Sequence, residues 1–270
     1  MAFTSKLSKP SDEDQGIIGI PYTDDWQFRR LEAITEGIPP VDPWERRNRA
    51  DFHLSAHEII YRAKRAVPKA PVPTVSAFAA WIYSLYHEDA VPESLQEGSD
   101  AEEAILEARR DWTSYSEFRN FRFSSWHQIH CGMGALSAGD RQQTFLVPDL
   151  RVNGEPLRAI PDLAFRHEDS GDVILIEVKF SMAFIPRNLW PNVWAQLWAY
   201  SKIPVFASAP SLNVIGEVWG QNVGNWSKRN LSSPVYLRSS VKRDPRDAKF
   251  DRFFWKLFSL YSGSADLQCF

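Results

Sequence analysis

The middle of the chain carries a pattern of apolar and polar residues that predicts three strands in succession. The segments 143–152 and 157–167 flank Asn153-Gly154, a dipeptide typical of two-residue turns, and we predict a β-hairpin there. A second turn-forming segment, HEDSGD at 167–172, leads into the nearly continuous apolar run at 173–176. Such a run is expected of a central strand covered on both faces.

A helix and a further strand are predicted next. Pro191 begins the helix, PNVWAQLWAYSKI, since proline is favoured in a first helical turn. VFASAP, at 205–210, is then predicted to begin another strand. The order strand, strand, strand, helix, strand predicts a mixed α/β core.

The N-terminal part of the chain shows a different pattern. The first fifty residues mix prolines with charges and have no clear period, which predicts irregular chain draped over a domain. A helix is predicted over 51–66 and a proline-rich break over 68–73. The next helix has Thr74 or Ser76 as its N-cap, and its sequence SAFAAWIYSLY is apolar on nearly every side, so we expect it to be buried.

Charge is distributed unevenly along the chain. Residues 88–117 carry ten acidic and two basic residues, and Asp100 with Glu103 has the form of a capping box, which predicts a helix over 101–118. Residues 226–256 carry nine basic and three acidic residues. This basic segment could guide a polyanion, or it could be the solvated face of a charged helix at 246–258.

The composition argues against a disulfide-rich protein, a four-cysteine metal protein and a membrane protein. The 270 residues are 44% hydrophobic and 24% charged, as in an ordinary soluble globular protein, and the net charge of −3 gives no general argument for a nucleic-acid partner. Cys131 and Cys269 can form neither a disulfide framework nor a four-cysteine site. The longest apolar stretch, 76–86, is too short for a bilayer, and the N-terminus has no signal-peptide core, so we expect no membrane partner and a cytoplasmic protein, or a nuclear one in a eukaryote.

Three residues near the apolar run suggest chemistry. Glu177 and Lys179 are alternate residues of one strand and so project from the same face, and the preceding turn can return Asp162 beside Glu177. Two carboxylates held this close repel each other unless a cation lies between them. Hard oxygen ligands favour Mg²⁺ or Mn²⁺, which lower the pKa of a bound water, while Lys179 could orient or deprotonate that water or balance charge.

These residues resemble the PD-(D/E)xK nuclease superfamily. The matching residues are Pro161-Asp162 and Glu177-Val178-Lys179, and Gln196-x-x-x-Tyr200 resembles the QxxxY motif of the RecB-like and lambda-exonuclease-like branch. Gln196 and Tyr200 are one helical turn apart and face the same way. The resemblance covers about 145–206, less than a quarter of the chain.

The resemblance implies a fold and a function. The expected fold is a restriction-endonuclease-like core at 101–270, with a central mixed β-sheet flanked by helices, a basic C-terminal helix, and an irregular and helical N-terminal region at 1–100 packed on it. The expected activity is hydrolysis of phosphodiester bonds of DNA with Mg²⁺ or Mn²⁺, although the sequence itself does not distinguish DNA from RNA. The implied metal-binding residues are Asp162, Glu177 and Val178, and the implied catalytic residues are Asp162, Glu177, Lys179, Gln196 and Tyr200.

Two assignments stay open in the sequence. The superfamily often has a further acidic residue on the helix before the sheet, and the candidates are Glu103, Glu107, Glu117 and, on the earlier helix, Glu58. A second PD pair, Pro148-Asp149, also precedes the ExK motif, but we prefer Asp162 because its strand is nearest in sequence to the ExK strand.

Other interpretations carry less weight. His127, His130 and Cys131 would bind zinc only with a fourth ligand of suitable spacing, and Gly132-x-Gly134 lacks the third glycine of a dinucleotide fingerprint. A catalytically inactive nuclease fold that binds nucleic acid or a protein partner is the alternative from another class. Trp190, Trp194 and Trp198 could stack on unpaired bases, although their spacing of four residues also suits a core. The sequence does not specify an oligomeric state.

Overall fold

The computed structural model describes residues 26–30, 56–86, 102, 106, 126–132, 144–181, 189–221 and 236–264. Together they form a mixed α/β structure in which helices cover a mixed sheet. The strands are β1 (Trp26–Arg30), β2 (Trp126–Cys131), β3 (Phe145–Val152), β4 (Glu155–Ala159), β5 (Leu163–His167), β6 (Val173–Ser181), β7 (Leu212–Gln221) and β8 (Tyr236–Arg243). The helices are α1 (Ala56–Arg65), α2 (Val75–Ser84), α3 (Pro191–Tyr200), α4 (Pro204–Ala207) and α5 (Ala248–Ser262).

Six strands form the main sheet in the order β1-β8-β7-β6-β5-β2. Only β6 and β7 are parallel, because the chain crosses between them through α3, and every other neighbouring pair is antiparallel. The expected return of the chain from β5 into β6 is confirmed, with Leu163 opposite Ile176. The ExK strand, β6, therefore lies inside the sheet.

The predicted hairpin around Asn153-Gly154 is confirmed in part. Strands β3 and β4 pair across this turn, where both residues have positive φ, 52° and 85°, as a type I′ turn requires. The segment 157–167, predicted as one strand, is instead broken after Ala159. Strand β4 belongs to the two-stranded sheet and β5 to the main sheet, so the chain has to leave one and enter the other through Ile160, Pro161 and Asp162.

The helices predicted near 51–66, 76–86, 191–203 and 246–258 are confirmed in the described residues, with bounds that differ by a few residues. Thr74 is the N-cap of α2, and its side chain accepts a hydrogen bond from the backbone N–H of Ala77 at 3.1 Å. Helix α3 begins at Pro191 as expected. The strand predicted to begin at 205 is wrong, because Pro204 begins the short helix α4 and β7 starts only at Leu212.

The C-terminal helix α5 is charged on one side, and its other side packs into the core through aromatic residues. One side of α5 buries seven residues, although its other side carries Lys249 and Arg252 in solvent. Trp198 of α3 packs against Phe254 and Phe258 of α5, with ring centroids 5.9 and 6.3 Å apart. The same core contains Phe78 of α2, so the N-terminal helices share a hydrophobic core with the sheet.

The main sheet is covered on both faces, as the apolar run at 173–176 predicted. Val173 and Leu175 of β6 belong to the large core with α2, α3 and α5. Ile174 and Ile176 belong to a smaller core on the opposite face, which also contains Leu106. Glu102 and Leu106 are helical, whereas the rest of the predicted 101–118 helix lies outside the described residues.

The first fifty residues are not irregular throughout. Residues 26–30 form β1 and pair with β8 at the edge of the main sheet. The five residues at 26–30 form too short a segment for their pattern alone to predict a strand. Only its pairing with the distant strand β8 identifies it. In the described part of the chain, no helix has both the length and the apolar character needed to cross a membrane.

Candidate active site

Asp162 lies in the break between β4 and β5, and its carboxylate points at the ExK strand. Its Oδ2 accepts a hydrogen bond from the backbone N–H of Val178 at 2.7 Å. The pairing of β5 with β6 ends at Leu163 and Ile176, and the side chain of Asp162 takes up the next free N–H of β6. The break therefore replaces backbone pairing by a carboxylate at the level of the ExK motif.

Glu177 and Lys179 project from the same face of β6. The Lys179 Nζ lies 2.7 Å from Oε1 of Glu177, while Val178 between them packs into the smaller core on the opposite face. Only 1% of the Glu177 side chain and 21% of the Lys179 side chain are exposed. A buried acid and a partly buried base are thus paired beside Asp162.

Glu102 supplies a third carboxylate, which is not among the candidates that the sequence suggests. Its Oε2 lies 3.4 Å from the Lys179 Nζ, and its Oε1 accepts the backbone N–H of Phe180 at 3.0 Å. Leu106, one helical turn later, is buried against the sheet. Glu102 and Leu106 are four positions apart and share a helix face, but Leu106 is also three positions after Glu103, so the spacing alone does not select Glu102.

The acidic candidates named from the sequence do not include this residue. Glu103, Glu107 and Glu117 lie outside the described residues. Glu58 lies on α1 and forms an ion pair with Arg62 at 2.8 Å, with 42% of its side chain exposed. Glu58 therefore lies apart from the cluster, and the third carboxylate found there belongs to Glu102.

The electrostatics of this cluster favour a bound cation or proton. Burial, and then the neighbouring charge of Asp162, raise the pKa of Glu177 well above its usual range. Burial also raises the pKa of Asp162 and of Glu102, against the opposing effect of Lys179. Burial disfavours the charged form of Lys179 as well, but the three carboxylates outweigh it, and the pKa of Lys179 is raised. The lysine is therefore charged, and this one ammonium faces three acids.

The donor chemistry of the cluster fits a hard divalent cation. Oε2 of Glu177 is buried and has no hydrogen-bond partner among the described residues, although the Glu177 and Asp162 carboxyl groups are close enough to share a proton. Leaving such an oxygen without a partner costs about 1–3 kcal/mol, and coordination of a cation would remove that cost. Among the described residues, however, no group of three or more His, Cys, Asp and Glu side chains is already arranged around a metal position. The Lys179 ammonium lies between Glu177 and Glu102 instead.

Gln196 and Tyr200 face this cluster from α3. The Gln196 Nε2 lies 3.5 Å from the Tyr200 hydroxyl, and both side chains are buried. Burial raises the pKa of Tyr200 well above its usual range, and the charges of Glu177 and Asp162 raise it further. The phenol is therefore close enough to both carboxylates to sense their charge.

Gly216 and Leu189 set the distance between α3 and the sheet. Gly216 is the β7 neighbour of Glu177, and a Cβ added to it would lie 2.1 Å from Cδ2 of Leu189. Leu189 is fully buried and lies just before α3. The missing side chain at position 216 lets the start of α3 approach the strand that carries Glu177.

Gly216→Ala should therefore destabilise the protein by about 1–3 kcal/mol, the usual cost of overpacking a core. Urea unfolding of Gly216→Ala, Leu189→Ala and the double variant measures this. In the Leu189→Ala background the cost of Gly216→Ala should shrink, since the side chain it strikes is gone. Equal costs in both backgrounds would show that the two residues do not press on each other.

Several other residues named from the sequence lie apart from this cluster. Asp149 is exposed on β3 in the two-stranded sheet. His127 is exposed and lies 3.1 Å from Glu168, whereas His130 is buried and bonds to Pro161, so the two histidines do not converge on one zinc position. Gly134 lies outside the described residues.

The tryptophans belong to the core. Trp194 and Trp198 are fully buried, and Trp190 is partly buried and packs against the large core. Base stacking by Trp194 or Trp198 is therefore ruled out by their burial.

Comparisons of the chain with protein-family models, with curated proteins and with solved structures found no match. The resemblance to PD-(D/E)xK nucleases accordingly depends on the residues of this site.

Proposed function

We propose that this protein is a metal-dependent nuclease that hydrolyses phosphodiester bonds of DNA with Mg²⁺ or Mn²⁺. The observation that carries the proposal is the convergence of Asp162, Glu177 and Glu102 around Lys179, from three separate elements, with a buried Glu177 oxygen that lacks a donor. A core that held these groups only for stability would be expected to balance their charge. Here a single ammonium faces three carboxyl groups, and the pKa of each of these groups is raised.

The arrangement of elements supports a restriction-endonuclease-like core. An antiparallel pair, β5 and β6, brings the PD and ExK motifs together, and a helical crossover, α3, leads from β6 to its parallel neighbour β7. That crossover carries Gln196 and Tyr200 on the face that meets the carboxylates. The motifs of the resemblance thus converge on one place in the fold.

Four residues of the cluster have proposed roles. Asp162, Glu177 and the backbone of Val178 would hold the divalent cation, which supplies charge neutralisation at phosphorus and a lowered pKa of its water. Lys179 is charged in the cluster and suits the task of donating a hydrogen bond to a phosphate oxygen in the transition state. Of the roles open to this lysine, a general base is the least suited to an ammonium whose pKa is raised.

Tyr200 is proposed to hold the carboxylates rather than to stack on the substrate, because its side chain is buried. Tyr200→Phe removes one hydroxyl and should lower kcat by about tenfold, equivalent to one hydrogen bond of about 1.4 kcal/mol. Steady-state kinetics should show KM nearly unchanged. A rise in KM with kcat unchanged would instead place the hydroxyl on the substrate.

The experiment that tests the function is cleavage by the purified full chain with and without divalent metal. Plasmid DNA, linear duplex, single-stranded DNA and RNA are each incubated with Mg²⁺, Mn²⁺ or EDTA. We expect cleavage of DNA with Mg²⁺ or Mn²⁺, arrest in EDTA and recovery with excess metal. Lys179→Ala, purified identically, should be slower by on the order of 10²–10⁴-fold, which excludes a contaminating nuclease. Cleavage that persists in EDTA would reject the metal mechanism.

The second candidate is a catalytically inactive nuclease fold that binds nucleic acid or a protein. The observation in its favour is that Lys179 already pairs with Glu177 and Glu102, so the cluster keeps part of its charge neutralised without metal. Retention of labelled DNA on the protein with no cleavage in either metal would support this candidate.

A further inference from the structure

Strand β2 ends against the Pro161-Asp162 segment and changes register just before it. Gln128 pairs with Phe165 and His130 with Ala164, so Ile129 is the extra residue of a β-bulge. Ile129 is exposed, whereas only 7% of His130 is exposed. Bulges re-aim side chains, and this one directs His130 inward.

Two consecutive carbonyl groups of the PD segment are held by β2. The Nε2 of His130 lies 2.9 Å from the carbonyl oxygen of Pro161, and the backbone N–H of Gly132 donates to the carbonyl of Asp162 at 2.8 Å. A carbonyl oxygen can only accept, so the His130 Nε2 carries the proton. The ring of His130 also packs edge-on against Phe145, with centroids 5.0 Å apart.

Gly132 leaves the space that this arrangement needs. A Cβ at position 132 would lie 2.8 Å from the carbonyl oxygen of Pro161, closer than real Cβ atoms approach. The oxygen that His130 holds is therefore the one that a side chain at 132 would displace. Both contacts fix the backbone immediately before the Asp162 carboxylate.

We propose that His130, aimed by the bulge and supported by Gly132, is a positioning residue for Asp162. Its hydrogen bond fixes the Pro161 carbonyl, and the fixed backbone holds the Asp162 carboxylate against the Val178 N–H and beside Glu177. Loss of a residue that orients a metal ligand in this way typically lowers metal affinity by about 10–100-fold. The link to metal binding rests on the proposed nuclease function, while the positioning of Asp162 does not.

The test compares His130→Phe with His130→Gln in the full chain. Phenylalanine keeps a ring against Phe145 but has no donor, whereas the amide of glutamine can replace Nε2 as donor. The first readout is hydrogen exchange of the Val178 amide, which reports its bond to Asp162 without any metal; the amide of Leu175, inside the sheet, is the control. The second readout is calorimetric titration with Mn²⁺.

We expect His130→Phe to speed exchange at Val178 by about tenfold and to weaken Mn²⁺ binding by about 10–100-fold, with Leu175 unchanged. His130→Gln should restore both the slow exchange at Val178 and the Mn²⁺ affinity.

If His130→Phe does not fold, Gly132→Ala should produce the same two changes, since its Cβ displaces the same carbonyl. Faster exchange at Val178 in a protein that binds no Mn²⁺ would support the positioning role and reject the nuclease. Wild-type exchange at Val178 in His130→Phe, or in Gly132→Ala if only that variant folds, would overturn the proposal.

Discussion

Asp162→Asn should slow metal-dependent cleavage of DNA by on the order of 10³-fold, while Asp149→Asn should stay within about tenfold of the wild-type rate. Both aspartates follow a proline, so the two variants test the same chemical change at two places. Asp162 is partly buried beside Glu177 and accepts the Val178 N–H, whereas Asp149 is exposed on the separate two-stranded sheet. Asparagine keeps the shape and can still accept the Val178 N–H, but it removes the charge that a cation requires.

Single-turnover cleavage rates at saturating Mn²⁺ measure this difference, and thermal unfolding of both variants verifies that each is folded. Asp162→Asn should unfold no earlier than wild type, because it removes a buried charge whose pKa burial raises. An inactive Asp149→Asn beside an active Asp162→Asn would show that the superfamily resemblance points to the wrong strand. Wild-type cleavage rates in both variants would reject a carboxylate mechanism at either PD pair.

The site was predictable from the sequence where local rules determine geometry. The period of a strand places Glu177 and Lys179 on one face, and the period of a helix places Gln196 and Tyr200 on one face. The turn at 167–172 brings the PD segment to the ExK strand because sequential strands tend to pair. These rules act within a few residues, and each relation appears in the structure.

The parts that were missed depend on contacts between distant segments. Glu102 reaches Lys179 across 77 residues, and no periodicity distinguishes it from Glu103 without knowledge of which helix face meets the sheet. The break at Ile160 to Asp162 arises because β4 pairs with β3 while β5 pairs with β6. Local propensity favours a continuous strand there, and tertiary pairing overrides it.

The same break explains why a carboxylate can be buried at this point. In a continuous strand, position 162 would offer a backbone group to β6. Because the strand is interrupted, the side chain of Asp162 pairs with the Val178 N–H instead, and β2 satisfies the carbonyl groups of Pro161 and Asp162. These backbone groups are bonded while the carboxyl groups lie close together, so the pairing of the strands itself brings the acids into one cluster.

Glu177→Gln and Lys179→Ala should both abolish most cleavage, yet they should shift the stability of the metal-free protein in opposite directions. Glu177→Gln removes a buried charge and supplies an amide that can donate to the neighbouring carboxylate. It should stabilise the protein by on the order of 1–3 kcal/mol, the cost of a buried group without its partner. Lys179→Ala leaves three carboxylates without a cation and should destabilise by at most about 3–5 kcal/mol, since Lys179 is partly exposed and protons can replace it.

The dependence of these stabilities on pH follows from the raised pKa of Glu177, whose ordinary value is 4.5. The folded state holds this proton more tightly than the unfolded state does, so the metal-free wild type should lose stability as pH rises from about 4.5 to the higher pKa of the folded state. In Glu177→Gln this loss should be shallower, with a remainder from Asp162 and Glu102, whose pKa values are also raised. In Lys179→Ala it should be steeper, because the ammonium that favours the ionised acids is gone. Thermal unfolding in EDTA from pH 4 to pH 9 measures all three curves. Parallel curves of stability against pH for the three proteins would mean that Glu177 ionises as freely in the folded as in the unfolded chain. The cluster would then have no unbalanced charge that favours a bound cation.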